Sequence, residues 1–183
     1  MVFETIVDTV VAWVLLIGIP ILVLLFFLEG LIVGKLLQPP AVFVAVVGIS
    51  RPSAPVLVLL CTTCAGSVIV AQWIVFRSFD DEAPAILGIR RTVPRLQELP
   101  ARLVGRIGAR RLSLVERLFD RFGGYAIVAT TFVPGIRGLL AIPAGLSSYS
   151  TAHFLVATAV GNVLYFPALV AIAFGILHLL GIS

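Results

Sequence analysis

The chain has 183 residues, of which 60% are hydrophobic and only 12% are charged, and its formal net charge is +4. Soluble domains carry about 25% charged residues, whereas this chain contains several uncharged stretches close to the roughly 20 residues that span a bilayer. The composition therefore excludes a soluble globular domain and predicts a single all-α membrane domain over residues 1–183.

Residues 9–28 form the first predicted transmembrane helix, because this uncharged stretch is too long for the apolar region of a cleaved signal peptide. Glu29 follows it directly. An acid in this place is either an interfacial residue at a helix end or part of a functional site inside the membrane. The sequence leaves both interpretations open.

Residues 31–50 are also apolar, but Gly34 and the pair Pro39-Pro40 divide them into pieces shorter than the bilayer. Broken backbone at membrane depth is tolerated only where protein or a water-filled cavity surrounds it. We therefore predict a re-entrant hairpin over this segment, one that enters and leaves the membrane by the same face.

Residues 52–76 form the second predicted transmembrane helix. Cys61 and Cys64 lie one helical turn apart within it, with no second pair and no histidine close by. They are interpreted as small packing residues rather than as metal ligands or a redox pair. Gln72, near the end of this helix, is predicted to lie at the membrane interface.

Residues 77–121 carry ten of the 13 lysines and arginines together with six acids, so this segment holds the whole net charge of +4. The positive-inside rule places it in the cytoplasm. Its second half is basic and amphipathic, and Ser113 with Glu116 resembles a capping box that starts a short helix. Such helices lie in the interface plane, so anionic lipid headgroups are the expected partners and nucleic acid is not.

Residues 125–149 are predicted to form a second re-entrant hairpin, because prolines and glycines interrupt an otherwise apolar stretch. Arg137 is the only Lys, Arg, Asp or Glu after residue 122. A charge at membrane depth costs roughly 2.5–3.5 kcal/mol on insertion scales and usually marks a functional site. Residues 152–180 form the last predicted transmembrane helix. Each broken segment is then followed by a span, which predicts an inverted-repeat arrangement of the kind found in transporters.

The motif F-V-P-G-I-R at residues 132–137, followed by I-P-A-G-L at 142–146 and His153-Phe154, resembles the DedA family. Members of this family are also described as SNARE-associated or VTT-domain membrane proteins. The resemblance implies two re-entrant hairpins that face each other and a role in moving lipids. The lipids implied are polyprenyl phosphates or phospholipids, and their movement is often coupled to a cation gradient.

Carried over residue by residue, the resemblance matches Arg137 to the family's second arginine and Glu29 to its first acid. Thr131 stands in the place of the first arginine, and Ala41 stands near the place of the second acid, which predicts a divergent member. The expected substrate-binding residues are Arg137, Glu29, Thr131, Pro134, Gly135 and Gly138.

The sequence thus predicts a flippase of the cell (plasma or inner) membrane that holds an anionic lipid headgroup at Arg137. No catalytic residue, metal or cofactor is expected, and homo-oligomers are left open. The alternatives are an ion or small-solute transporter, or an enzyme acting on a lipid phosphate, for which the isolated His153 and His178 do not supply a reactive set. In a purely structural interpretation, Arg137 pairs with Glu29 to lock the bundle.

Overall fold

The computed structural model describes residues 2–31, 38–79, 109–133, 136–147, 149–179 and 181, and over these residues the protein is helical without strands. Its seven helices are α1 Val2–Gly30, α2 Pro39–Ser50, α3 Ala54–Ser78, α4 Ala109–Phe122, α5 Gly124–Thr130, α6 Ala141–Leu146 and α7 Thr151–Leu179. The all-α prediction is confirmed.

Among the described helices, α3 and α7 are the two that are long and apolar enough to cross a membrane. Most of their surface is not buried inside the protein, and it is apolar: Val58 and Val163 are 62% and 68% exposed. A continuous apolar exterior of this kind is unfavourable in water and favourable against lipid. Such an exterior is typical of a membrane protein.

Threonines on the outer face of α3 are compatible with the same environment. The hydroxyls of Thr62 and Thr63 donate to the carbonyls of Leu59, one turn earlier in the helix, at 3.0 and 2.8 Å. Threonines in membrane helices commonly bond back to their own helix, which leaves no unpaired donor to face hydrocarbon.

Two apolar clusters fill the interior. The Phe26 cluster joins α1, α2, α3 and α7, and its rings Phe26, Phe43 and Phe166 meet edge to face at 5.1–6.0 Å. The Phe76 cluster joins the end of α3 to α4, α5, α6 and the start of α7, where Phe76 and Phe154 stack at 4.5 Å. Because Phe76 ends α3 and Phe154 begins α7, these two helices run antiparallel.

The two ends of the bundle are distinguished by arginines. Arg51 directly precedes α3, and Arg77 lies in its last turn. With a rise of 1.5 Å per residue, the 25 residues of α3 extend about 37 Å, so the two arginines lie at opposite ends of the bundle.

The observed helices α1, α3 and α7 overlap the predicted spans 9–28, 52–76 and 152–180. Pro39 opens α2, where proline is favoured because the first N–H groups of a helix have no intrahelical partner. The described second half of segment 31–50 is therefore one helix. The re-entrant topology of 31–50 and 125–149 stays a prediction, and residues 80–108 of the basic segment lie outside the described residues.

One local prediction is wrong. Ser113 does not begin a helix, because α4 starts at Ala109 and the Ser113 hydroxyl donates to the Arg110 carbonyl at 3.1 Å inside that helix. Arginine and leucine are good helix formers, so the helix extends a turn earlier than the capping motif indicates. Val115 and Phe119 bury the apolar face of α4 in the Phe76 cluster.

Candidate functional site

Arg137 lies in the turns that connect α5 to α6, where it is buried with only 3% of its surface exposed. Its neighbours Ile136 and Leu139 belong to the Phe76 cluster, while its guanidinium contacts rings of the Phe26 cluster. The charge is therefore held at the junction of the two clusters, in the interior of the bundle.

The chain in this region is broken into short turns rather than one helix. Hydrogen bonds join Ile136 N–H to the Val133 carbonyl at 3.3 Å and Leu139 N–H to the Ile136 carbonyl at 3.0 Å, the spacing of 3₁₀ turns. Pro143 lies in the first turn of α6, where its missing N–H removes no intrahelical bond. Because of these turns, the backbone near Arg137 follows a path that a straight helix would not allow.

Gln72 on α3 fixes the backbone of this loop. Its side-chain Nε2 donates to the carbonyl of Arg137 at 3.2 Å, and the Gln72 side chain is buried. The position of Gln72 at the level of the membrane interface stays a prediction, but its side chain faces the protein interior rather than the surroundings. The hydrogen bond compensates for burying a polar amide in an apolar helix, and it holds the Arg137 loop against α3.

Glu29 provides the opposite charge. Its Oε2 lies 3.5 Å from Nη2 of Arg137, and the two side chains are 11% and 1% exposed. Of the residues expected at the site, these two are brought together by the structure although they come from distant parts of the sequence. A separation of 3.5 Å is longer than the 2.7–2.9 Å typical of a charge-assisted hydrogen bond.

Gly30 explains how Glu29 reaches this position. A Cβ at Gly30 would lie 2.6 Å from the Cβ of Ala71 and 3.2 Å from the backbone carbonyl of Val68. Only glycine lets the end of α1 approach α3 this closely. The close approach brings the carboxylate of the preceding residue beside the Arg137 loop, which Gln72 of the same α3 segment holds.

Two aromatic rings complete the surroundings of the guanidinium. The Arg137 Cζ lies 5.4 Å from the centre of the Phe26 ring and 4.7 Å from that of Tyr165. Both distances are within the range of cation–π attraction, which is stronger where the cation is desolvated. Tyr165 lies midway along α7, so the site is deep within the span of that helix.

The hydrogen-bonding capacity of the site is largely unused by the described residues. Among them, none accepts a hydrogen bond of good geometry from Nε, Nη1 or Nη2 of Arg137, although the Tyr165 side chain interacts with the guanidinium, and none donates one to Oε2 of Glu29. Buried charged groups without hydrogen bonds are costly, and they require an explanation such as a ligand. An arginine with its planar fork of donors free is chemically suited to bind a phosphate or carboxylate.

The other residues expected at the site are distributed differently. Thr131 is buried, but its hydroxyl donates to the Ile127 carbonyl at 2.9 Å and its side chain packs against Gly161 of α7. Gly138 is buried in the turn next to Arg137. Pro134 and Gly135 lie outside the described residues.

The structure adds residues that the sequence analysis did not assign to the site: Gln72, Phe26 and Tyr165. Thr158 and Asn162 lie on the buried face of α7, the helix that carries Tyr165. Among the described residues, Asn162 Oδ1 and Thr158 Oγ1 are buried without a hydrogen-bond partner. Gln72 and Asn162 could have been noted from the sequence, because each is a polar residue inside an otherwise apolar helix. No sequence pattern distinguishes Phe26 from the other apolar residues of α1.

The fold and site define an all-helical membrane protein with a buried, paired cation at a break between helices. The family model of the VTT domain matches residues 38–176, which is most of the chain, so the protein belongs to the VTT domain family, the DedA/SNARE-associated domain. This confirms the resemblance. The family is membrane-associated and commonly transporter-like. No curated protein and no solved structure matches the chain.

Proposed function

We propose that the protein is a flippase that moves an anionic lipid, a polyprenyl phosphate or a phospholipid, and that Arg137 binds its headgroup. The observation that carries this proposal is the buried guanidinium whose three nitrogens have no hydrogen-bond partner of good geometry among the described residues. Arginine donates two parallel hydrogen bonds to a phosphate, which gives it both affinity and a preferred orientation. The position of Tyr165 in the middle of α7 supports a site near the bilayer midplane.

Glu29 balances the charge of Arg137 when no headgroup is present. Burying an unpaired charge costs several kcal/mol, and a carboxylate at 3.5 Å offsets much of that cost. A phosphate that binds Arg137 competes with Glu29, so exchange between the two anions makes binding reversible. In a cation-coupled cycle, the same carboxylate takes up the coupling proton as the headgroup arrives.

In this proposal, the protein lies in the plasma or inner membrane, and its basic segment 77–121 is in the cytoplasm. The substrate is a membrane lipid, and α4 lies at the interface with its arginines toward anionic headgroups. Support comes from the amphipathic pattern of α4, which buries Val115 and Phe119 and exposes Arg117 and Arg121.

The test measures lipid movement in vesicles that contain the purified full chain. Fluorescent analogues of phosphatidylglycerol are followed by quenching with a reagent that reaches only the outer leaflet. The variant Arg137→Ala is expected to slow this movement by at least about tenfold, the loss that follows from removing charged hydrogen bonds. Arg137→Lys keeps the charge without the planar fork and is expected to retain part of the activity.

Arg110→Ala is the matched control, because Arg110 is an exposed arginine on α4 outside the site. Its lipid movement is expected to equal that of the unmodified protein. Equal movement in Arg137→Ala, with folding intact, would refute the proposal. Phosphate released from the lipid would indicate an enzyme instead, and solute flux without lipid movement would indicate an ion or small-solute transporter.

A further inference from the structure

A second candidate site lies at the end of the bundle opposite to Arg77. A groove of about 660 Å³ runs between α2 and α7, and its walls include Val44, Gly48, Ile49, Ala173, Ile176 and Leu177. The volume is within the range of about 300–1,000 Å³ usual for small-molecule sites. None of these wall residues carries a polar side chain.

Among the described residues, Arg51 is the one charged residue that lines the groove. It is exposed, and among the described residues it has no ion-pair or hydrogen-bond partner for its side chain. A long arginine side chain at a membrane surface keeps its charge in the headgroup layer while its carbons lie along apolar residues. The groove thus combines an apolar trough with a single cation at its rim.

The backbone of Arg51 is unusual for an arginine. Its φ of 41° and ψ of 58° are left-handed, and its N–H donates to the Val47 carbonyl at 3.0 Å to close the end of α2. Glycine or asparagine is the ordinary residue for this helix end, because other side chains are strained there. This sparsely populated conformation supports the hypothesis that the Arg51 side chain has a role beyond closing the helix.

The walls of the groove belong to the lipid-facing surface of the protein. Ile49 and Ile176 are 73% and 44% exposed, and both lie on helices whose outer faces are apolar. The molecules that reach such a groove are membrane lipids. A lipid whose acyl chain fills the trough carries its phosphate to the membrane surface, where the unpaired charge of Arg51 complements it.

We infer that this groove binds one anionic phospholipid, with an acyl chain between α2 and α7 and the phosphate at Arg51. The site is separate from Arg137, since Tyr165, which contacts Arg137, precedes Ile176 and Leu177 by about three turns of α7. The bound lipid stabilises the packing of α2 on α7 and belongs to the leaflet opposite to the basic segment.

The experiment counts the lipids retained by the purified full chain in native mass spectrometry. Phosphatidylglycerol and phosphatidylcholine with identical acyl chains are supplied in equal amounts. The unmodified protein is expected to prefer phosphatidylglycerol about fivefold, the contribution of one arginine near an anionic surface. Arg51→Asn is expected to lower this preference while leaving thermal stability unchanged or higher, because asparagine suits the left-handed helix end.

Filling the trough tests the acyl-chain part of the site. Gly48→Leu is compatible with the fold, because a Cβ at Gly48 meets Leu177 only at 4.0 Å, and the rest of the leucine extends into the groove. Retention of both lipids is expected to fall about tenfold, the loss for two excluded methylene groups. Ala45→Leu, at another wall position, is the second variant should the first fail to fold.

Gly175→Leu is the matched control, since a Cβ at Gly175 has no neighbour within 4 Å and this residue does not line the groove. Unchanged lipid preference in Arg51→Asn, or equal retention in Gly48→Leu and Gly175→Leu, would overturn the inference. Conversion of a dimer to a monomer by Gly48→Leu, without a change in lipid retention, would show that a second copy of the chain covers the groove. In the Arg137→Ala background, which lacks the headgroup site of the proposed function, a preference is expected to remain and Arg51→Asn is expected to abolish it, which separates the two sites.

Discussion

The guanidinium of Arg137 and the carboxylate of Glu29 lie 3.5 Å apart at the junction of the two apolar clusters. The first comes from a turn between α5 and α6, and the second from the last turn of α1. Their pairing connects the amino-terminal helices to the broken segment that follows α4. This ion pair therefore couples the two halves of the bundle at its candidate substrate site.

The first prediction separates a structural pair from a binding site. Replacing only one partner leaves a buried unpaired charge, so Glu29→Leu and Arg137→Met are each expected to lower the free energy of unfolding by about 3–5 kcal/mol. The double variant removes both charges and is expected to recover most of that loss. Unfolding by denaturant in detergent micelles measures all three.

Lipid movement also distinguishes a structural role of the Arg137–Glu29 pair from a role in substrate binding. If the pair only locks the bundle, the double variant recovers lipid movement together with stability. The proposed function requires a stable double variant that does not move lipid. Recovery of movement in the double variant would therefore show that Arg137 is not the headgroup site.

The second prediction concerns the close approach at Gly30. A Cβ there collides with the Cβ of Ala71 and crowds the Val68 carbonyl, and neither atom can move aside by changing a rotamer. Gly30→Ala is therefore expected to lower the free energy of unfolding by about 1–3 kcal/mol. It also displaces Glu29 from Arg137, so lipid movement is expected to fall as well.

Gly66 provides the comparison within the same pair of packed helices. A Cβ at Gly66 meets nothing within 4 Å, so Gly66→Ala is expected to be neutral or slightly stabilising. Thermal unfolding of both variants in the same detergent measures the difference. Equal unfolding temperatures for the two would contradict the packing argument.

The third prediction concerns the hydrogen bond from Gln72 to the carbonyl of Arg137. Gln72→Leu keeps the size of the side chain but leaves that buried carbonyl without this donor, at an expected cost of about 1–3 kcal/mol. Thr63→Val, which removes an exposed bond within α3, is expected to change stability by less than about 0.5 kcal/mol. A loss of lipid movement larger than the loss of folded protein would show that Gln72 positions the Arg137 loop.

Much of the fold was predictable because membrane helices are long and uniformly apolar. The predicted spans 52–76 and 152–180 lie close to the observed helices α3 and α7. Capping was less predictable: Ser113 and Glu116 form a typical motif, yet α4 begins at Ala109. The intrinsic helix preference of the preceding residues outweighed the local signal.

The charged residues of the candidate site were predictable from the sequence, whereas the residues that hold them in place were not. Arg137 and Glu29 stand out because charges are rare and costly in an apolar chain. Gln72 looks like an interfacial residue because it lies near the end of its span. Its burial follows from the position of the Arg137 loop against α3, a long-range contact that no local pattern encodes.

The last prediction tests how α3 crosses the membrane. Its length of about 37 Å exceeds the roughly 30 Å of the hydrocarbon core, so Ser53, before the helix, and Ser113, on α4 packed near its end, are expected on opposite sides. Ser53→Cys and Ser113→Cys are made singly in a background in which Cys61 and Cys64 are alanine. A membrane-impermeant maleimide applied to intact cells is expected to label only the first, because the basic segment is proposed to be cytoplasmic. Labelling of both from outside would show that the two ends of α3 share one face, and labelling of Ser113→Cys alone would reverse the proposed orientation.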